Sequence, residues 1–239
     1  MTKVLLITQD KGGVGKSLAT RGLAEVVPGS PVIEVDASPR LLELGKRAKF
    51  FKTRADREDI ESTGGAASRS EFDQVIDAIA SATLPTVVDI GANTGVALLT
   101  VIGDLAEDFA AAGIEFGILV VTTAEPGALA EVPRLLATAA PFTAKQFVIE
   151  NRTHGEIDAK KLASLTAGAT VTCLLEQHMD KKAGPILQAG GLASIAKRDP
   201  EALRAKFGTA TGSRIRRDLT RVRLEVMRAV RLPAEWLIS

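Results

Sequence analysis

Nine residues, Gln9-Asp10-Lys11-Gly12-Gly13-Val14-Gly15-Lys16-Ser17, constrain this chain more than any other stretch. The apolar run Val4-Leu5-Leu6-Ile7 before them reads as a buried strand, and Leu18 to Val27 after them reads as a helix. A strand that turns through glycines into a helix N-terminus is the geometry that binds phosphate. Glycines let backbone N–H groups converge on one anion, and the helix dipole favours negative charge at that point. In such a turn Lys16 reaches the terminal phosphates, and the Ser17 hydroxyl ligates Mg²⁺.

Apolar strand-like runs alternate with helical patterns along the rest of the chain. Strands are expected at Val32 to Asp36, Thr86 to Ile90, Phe116 to Val121, Gln146 to Glu150 and Thr170 to Leu175. Phe72, Val75, Ile76 and Ile79 keep the spacing of a helix with one buried face, and Leu98, Val101, Ile102, Leu105 and Phe109 mark another helix. Strands separated by helices imply βαβ units. The expected fold is therefore α/β, a doubly wound and mostly parallel sheet with helices on both faces. Ligands of such sheets sit at the carboxyl ends of the strands, where the polar motifs of this chain also fall. Residues 46–69 carry a charged run and the glycine-rich Thr63-Gly64-Gly65, and they read as solvated surface.

Two details of the loop narrow the reading. The usual phosphate loop has glycine where Asp10 stands, and Lys11 is an additional lysine ahead of the glycine pair. Lys-Gly-Gly-x-Gly-Lys-Ser resembles the deviant phosphate loop of the ParA/MinD family of P-loop ATPases. The resemblance covers about residues 1–175 through its motifs. It implies a Rossmann-like P-loop NTPase, here a single domain over 1–239 with a basic helical segment at about 197–239. It also implies that ATP and Mg²⁺ are bound, with Gly12, Gly13, Val14, Gly15, Lys16, Ser17 and Leu18 holding the nucleotide. In the family the first lysine, here Lys11, crosses to a partner subunit's nucleotide, so the expected assembly is an ATP-dependent homodimer.

An apolar strand ending in Asp beside a phosphate loop is what phosphoryl-transfer chemistry needs to place Mg²⁺. Two strands end so. Pro85-Thr86-Val87-Val88-Asp89-Ile90-Gly91 resembles the family's Walker B segment, and Val35-Asp36-Ala37-Ser38-Pro39 resembles its Asp-x-Asp-Pro segment. The expected metal set is Ser17, Asp36 and Asp89, and the expected catalytic set is Lys11, Lys16 and Asp36. Ser38 stands where the family has the acid that positions the attacking water. The resemblance then implies slow or partner-stimulated hydrolysis, or a nucleotide-binding scaffold with negligible turnover. A dethiobiotin-synthetase-like, ATP-dependent metabolic enzyme on the same fold is the other alternative. Val120 to Leu129 resembles the family's proline-containing turn into a helix, and Asn151 resembles an asparagine that contacts the adenine edge. His154 and His178 are isolated from other metal ligands, so structural zinc is not expected.

Composition adds compartment and charge. One cysteine, Cys173, allows no internal disulfide, and the first apolar run is too short for a signal peptide. The chain is expected to be cytoplasmic. From Lys197 to Arg231 eleven Lys/Arg face four Asp/Glu, a net +7, which leaves −6 for the rest of a chain of total charge +1. Ile215, Leu219, Val222, Val226 and Val230 share one helical face there, and Arg214, Arg217, Arg221 and Arg228 form a neighbouring stripe, with Arg216 and Arg223 elsewhere. Three readings stay open: non-specific contact with DNA phosphates, a solvated face, and membrane-surface attachment, the last opposed by the narrow apolar stripe. A protein partner that stimulates hydrolysis is also implied by the resemblance, in plasmid partition or conjugative transfer.

Overall fold

The computed structural model describes residues 1–53, 66–166, 168–175 and 179–239. His178 and most of the charged run, 54–65, lie outside these. β1 (Thr2–Thr8) leads into α1 (Lys16–Val26), β2 (Val32–Asp36), a 3₁₀ segment (Leu42–Arg47) and β3 (Ala48–Lys52). Next come α2 (Ala66–Ala80), β4 (Thr86–Ile90), α3 (Gly95–Asp104), α4 (Ala106–Ala111), β5 (Ile114–Thr122) and α5 (Pro126–Ala139). After them run β6 (Thr143–Asn151), α6 (Ala159–Leu165), β7 (Thr170–Leu174), α7 (Ala183–Lys197), α8 (Pro200–Phe207), α9 (Thr209–Ala229) and α10 (Arg231–Ile238).

The strands form one seven-stranded sheet in the order β3-β2-β4-β1-β5-β6-β7, and every pairing is parallel. Alternation along β1 shows how the two faces are filled. Val4 and Leu6 join the core under α2, α3 and α5, whereas Leu5 and Ile7 join the core under α1, α9 and α10. A strand buried on both faces must be apolar throughout, which is why β1 shows no polar alternation. The expected doubly wound α/β sheet is therefore the observed one.

Two local expectations need correction. The stretch read as solvated surface contains β3, which pairs with β2 from Val32↔Ala48 to Asp36↔Lys52. Its Phe51 is buried while Lys49 and Lys52 are exposed. Lys49 shares a face with Phe51 and Lys52 lies on the other, so this edge strand shows no apolar alternation, and that masked the pattern. The helix expected over Leu98 to Phe109 is two helices, broken at Leu105 (φ −107°, ψ 15°). The break turns Phe109 edge-on to Phe116, with ring centres 5.0 Å apart.

Ile215, Leu219, Val222, Val226 and Val230 are all buried as expected, and Val222, Val226 and Val230 pack in the same core as Leu23 of α1. Each such side chain contributes about 1.5–3 kcal/mol when buried, so this stripe belongs to the protein core rather than to a lipid surface. Trp236 of α10 packs beside Phe147 of β6 and against Gly117 of β5. No helix among the described residues is long and apolar enough to cross a membrane.

Candidate functional site

Gly12, Gly13, Val14, Gly15, Lys16, Ser17, Leu18 and Asp36 line one open cleft of ≈ 570 Å³ at the carboxyl ends of the strands, together with Arg21, Arg40 and Ala92. That volume is within the range of small-molecule sites. Gly15 caps α1 at φ 103°, a left-handed conformation that side chains strain to adopt, and Gly13 has φ 80°. The Gly15 carbonyl accepts from Leu18 N and Ala19 N, which starts the helix directly behind the turn. Because α1 has no acidic residue in its first turn, its positive end is open to an anion.

Asp10, the residue that departs from the usual loop, has a defined role. Its Oδ1 accepts from Gly95 N, at the first residue of α3, at 2.8 Å, and its carbonyl accepts from Asn93 N. A Cβ on Gly95 would approach Asp10 Oδ1 to 2.6 Å, so the loop and α3 fit together only with glycine there. Asn93 itself sits at φ 64°, unlike any other non-glycine among the described residues, in the turn that follows Asp89. Such strain persists only where surrounding contacts enforce it. Gln9 is fully buried, donates to Ala128 O and accepts from Lys11 N. Sequence alone assigns no role to Gln9 or Asp10. The missing glycine is the signal that points to them.

Lys16 is buried, and its Nζ donates to Gln9 O at 2.7 Å. Desolvation lowers its pKa against the attraction of Asp89, Asp36 and Asp10. Asp89 lies beneath the loop because β1 and β4 pair with Ile7 opposite Asp89. Its carboxyl is 3% exposed, and burial raises its pKa to about 6, although Lys16 and hydrogen bonds from Ser17 and Thr20 pull the other way. Burial thus outweighs the attraction between these two groups. Asp89 Oδ2 has no hydrogen-bond partner. A buried, partnerless carboxylate oxygen next to the Ser17 hydroxyl is a donor set that fits a hard cation such as Mg²⁺. Among the described residues no three His, Cys, Asp or Glu converge on a metal, so a cation here would complete its shell with phosphate oxygens and water.

The other expected site residues are placed differently. Asp36 ends β2 at the cleft, but its Oδ1 accepts from Ala37 N and its Oδ2 from Arg40 Nε at 3.2 Å. Lys11 lies outside its own cleft, with Nζ 3.8 Å from Glu125 Oε2. Asn151 is buried behind the loop, donating to Val14 O at 2.8 Å and accepting from Thr153 N and Oγ1. One amide N–H and the amide oxygen are thus engaged in holding the loop and the turn that follows. The proline turn starts α5 at Pro126 with Glu125 as its cap, as the sequence implies. Arg152 turns away to Glu150 and Glu156.

The C-terminal arginines divide as well. Arg214 approaches Asp180, Arg221 bonds Asp218, Arg228 bonds Glu225 and Arg223 bonds Glu25. Arg216, placed apart from the stripe by sequence, joins Arg204, Arg217 and Arg221 around a groove of ≈ 560 Å³ beside the exposed Leu224.

No family model and no curated protein matches this sequence. Among solved structures, the chain is similar to a ParA family ATPase from Chlorobium tepidum, at 16% identity over 93% of this chain and 98% of that one, with a TM-score of 0.51. It is also similar to the MinD cell division protein of Aquifex aeolicus (17% identity, 92% and 96% covered, TM-score 0.49). A third is apo McdA of Cyanothece (14% identity, 93% and 99% covered, TM-score 0.49). The first of these, together with the all-parallel sheet, shows that this chain has the fold of a ParA-type P-loop ATPase.

Proposed function

We propose that this chain is a cytoplasmic ParA-type ATPase that binds Mg·ATP at the glycine loop, dimerises around it, and uses nucleotide state to switch binding to DNA or a protein partner, in partition or conjugative transfer. The observation that carries this reading is the buried Lys16 set over the partnerless Asp89 Oδ2 at a helix N-terminus. Loop N–H groups and Lys16 would hold the phosphates, and Ser17 with Asp89 would hold Mg²⁺, joined by Asp36 if it leaves Arg40. When bound, Mg²⁺ would neutralise charge on the terminal phosphate oxygens. Lys11 supports a cross-subunit role because it is half exposed, lies outside its own cleft and, among the described residues, is tied only by a long surface ion pair, which is worth about 0–1 kcal/mol. Ser38 is exposed where the family has an acid. That favours slow or stimulated turnover and keeps the scaffold reading as the second one.

Size-exclusion chromatography tests the proposal. Wild type is expected to shift from monomer to dimer with a non-hydrolysable ATP analogue. Lys11→Ala should keep ATP affinity within about twofold, since it loses only an exposed ion pair in the monomer, and should lose the shift. A wild-type protein that stays monomeric with nucleotide bound would exclude the cross-subunit role and favour the metabolic-enzyme reading.

DNA binding is assigned to the groove lined by Arg204, Arg216, Arg217 and Arg221, which keeps Arg217 and Arg221 of the stripe read from sequence; Arg204 and Arg221 would exchange their pairs with Glu201 and Asp218 for phosphate. Neutralising these four should weaken binding equally on unrelated duplexes and reduce the log–log salt slope by about 0.9 for each phosphate no longer neutralised. Arg228→Ala alone should change little, because Arg228 does not line the groove. Absence of DNA retention at low salt with ATP present would leave the groove a solvated face, or a lipid-binding one if anionic vesicles bind instead.

A further inference from the structure

Two guanidinium groups share the phosphate-loop cleft, and only one of them is committed elsewhere. Arg21 donates Nε to Glu43 Oε1 at 2.5 Å and Nη2 to Arg40 O at 2.7 Å, so its charge is spent inside the protein. Arg40 has a 59% exposed side chain, and its charge partner among the described residues is Asp36, a cleft residue itself. The backbone that carries Arg40 is nevertheless fixed. Its N–H donates to Glu34 Oε1 at 2.6 Å, and Glu34 is 2% exposed in the interior of β2. Burial pushes the Glu34 carboxyl up, a cost offset in part by the N–H groups of Arg40 and Leu41 that it accepts. A buried acid therefore pins the rim of the cleft at the residue whose side chain is left exposed.

Arg40 also faces the same space as Lys16, whose pKa it depresses through charge repulsion. Lys16 and Arg40 thus flank one open cleft at a helix N-terminus, within the field of Asp89, Asp36 and Asp10. Asp36 neutralises Arg40 in the fold, and if Asp36 were to hold a metal the guanidinium would be free to face the phosphates. Guanidinium geometry matches two oxygens of one phosphate, whereas an ammonium acts as a point charge.

We propose, building on the ATP-site reading, that Arg40 is a specificity-determining residue that grips the terminal phosphate of ATP, so that this chain separates a nucleoside triphosphate from a diphosphate with a guanidinium from its own β2–β3 connection. The loop amides and Lys16 are common to both nucleotides. Arg40 reaches only the group that the diphosphate lacks.

Calorimetry with Mg²⁺ and either ADP or a non-hydrolysable ATP analogue tests this on wild type, Arg40→Ala, Arg40→Lys and Lys16→Ala. Arg40→Ala should lose about tenfold in affinity for the triphosphate, the order expected for one charge-assisted hydrogen bond, and change by less than about twofold for ADP. Arg40→Lys should fall between, and Lys16→Ala should weaken both nucleotides. Because the Arg40 side chain is exposed and its anchoring bonds are backbone ones, both variants should melt with wild type. Arg40→Ala that equals wild type on the triphosphate, or that weakens both nucleotides alike, overturns the proposal while leaving the ATP site intact. Wild type that binds neither nucleotide overturns both.

Discussion

Lys16→Ala is expected to lower ATP affinity by at least tenfold, about 1.4 kcal/mol. The reason lies in how the fold holds the lysine. Its ammonium is already desolvated and held by the Gln9 carbonyl within the field of Asp89, Asp36 and Asp10. Moving it from a neutral carbonyl to phosphate oxygens exchanges a dipole for full negative charge without a new desolvation cost. Alanine forfeits that gain and leaves Asp89 without its nearest opposing charge. Calorimetry with ATP and ADP should show both nucleotides weakened, since the lysine serves phosphates that they share. Unchanged affinity would remove the phosphate-loop assignment, and with it the ATPase function.

The fold is legible where local signals agree with tertiary demands. Val4 to Ile7 can be apolar throughout only if both faces are covered, and the glycines of the loop announce its turn. β3 is hidden because this edge strand buries one residue, Phe51, and leaves its lysines to water. The break at Leu105 is equally silent, since Phe109 keeps helical spacing with Leu105 and Ile102 whether or not the helix bends.

Site residues follow the same division. Some expected site residues are placed where position alone puts them: Gly12 to Gly15 form the turn after β1, Asp36 ends β2 and Asp89 lies one residue before the end of β4. Asn151 falls at a strand end as expected, yet which partner its amide chooses depends on Val14, 137 residues away in sequence. The pairing of Arg40 with Asp36 and the burial of Glu34 arise from how the β2–β3 connection folds back on itself. Spacing alone does not encode that. On α9 the arginines share a helical face in sequence, but Asp180, Asp218 and Glu225 decide which of them remain available to an anion.

Asp89→Asn is expected to stabilise the nucleotide-free protein at neutral pH and to abolish its metal-dependent gain in ATP affinity. The Asp89 carboxyl ionises near 3.8 when exposed and at about 6 in the fold, chiefly because burial penalises its charge. Well below pH 3.8 it is protonated in both states and costs nothing. As pH rises toward 6 the unfolded chain ionises first, so the folded state loses stability until its own carboxyl has titrated, and the loss is constant above that. The shift corresponds to roughly 3 kcal/mol, or about 6–12 °C in melting temperature for a chain of this size. Glu34 pairs opposite Asp89 and adds to the same upward push by charge repulsion. The melting difference between Asp89→Asn and wild type should therefore open between about pH 4 and 6 and stay level above. Binding runs the opposite way, because a cation needs the carboxylate. In wild type the Mg²⁺-dependent gain in ATP affinity should fall by up to about tenfold for each pH unit below 6, while the asparagine variant shows no such gain at any pH. A melting difference that does not vary with pH, or a wild type more stable than the variant at neutral pH, would mean that the Asp89 charge is compensated in the unloaded fold. Its partnerless Oδ2 would then no longer argue for a metal.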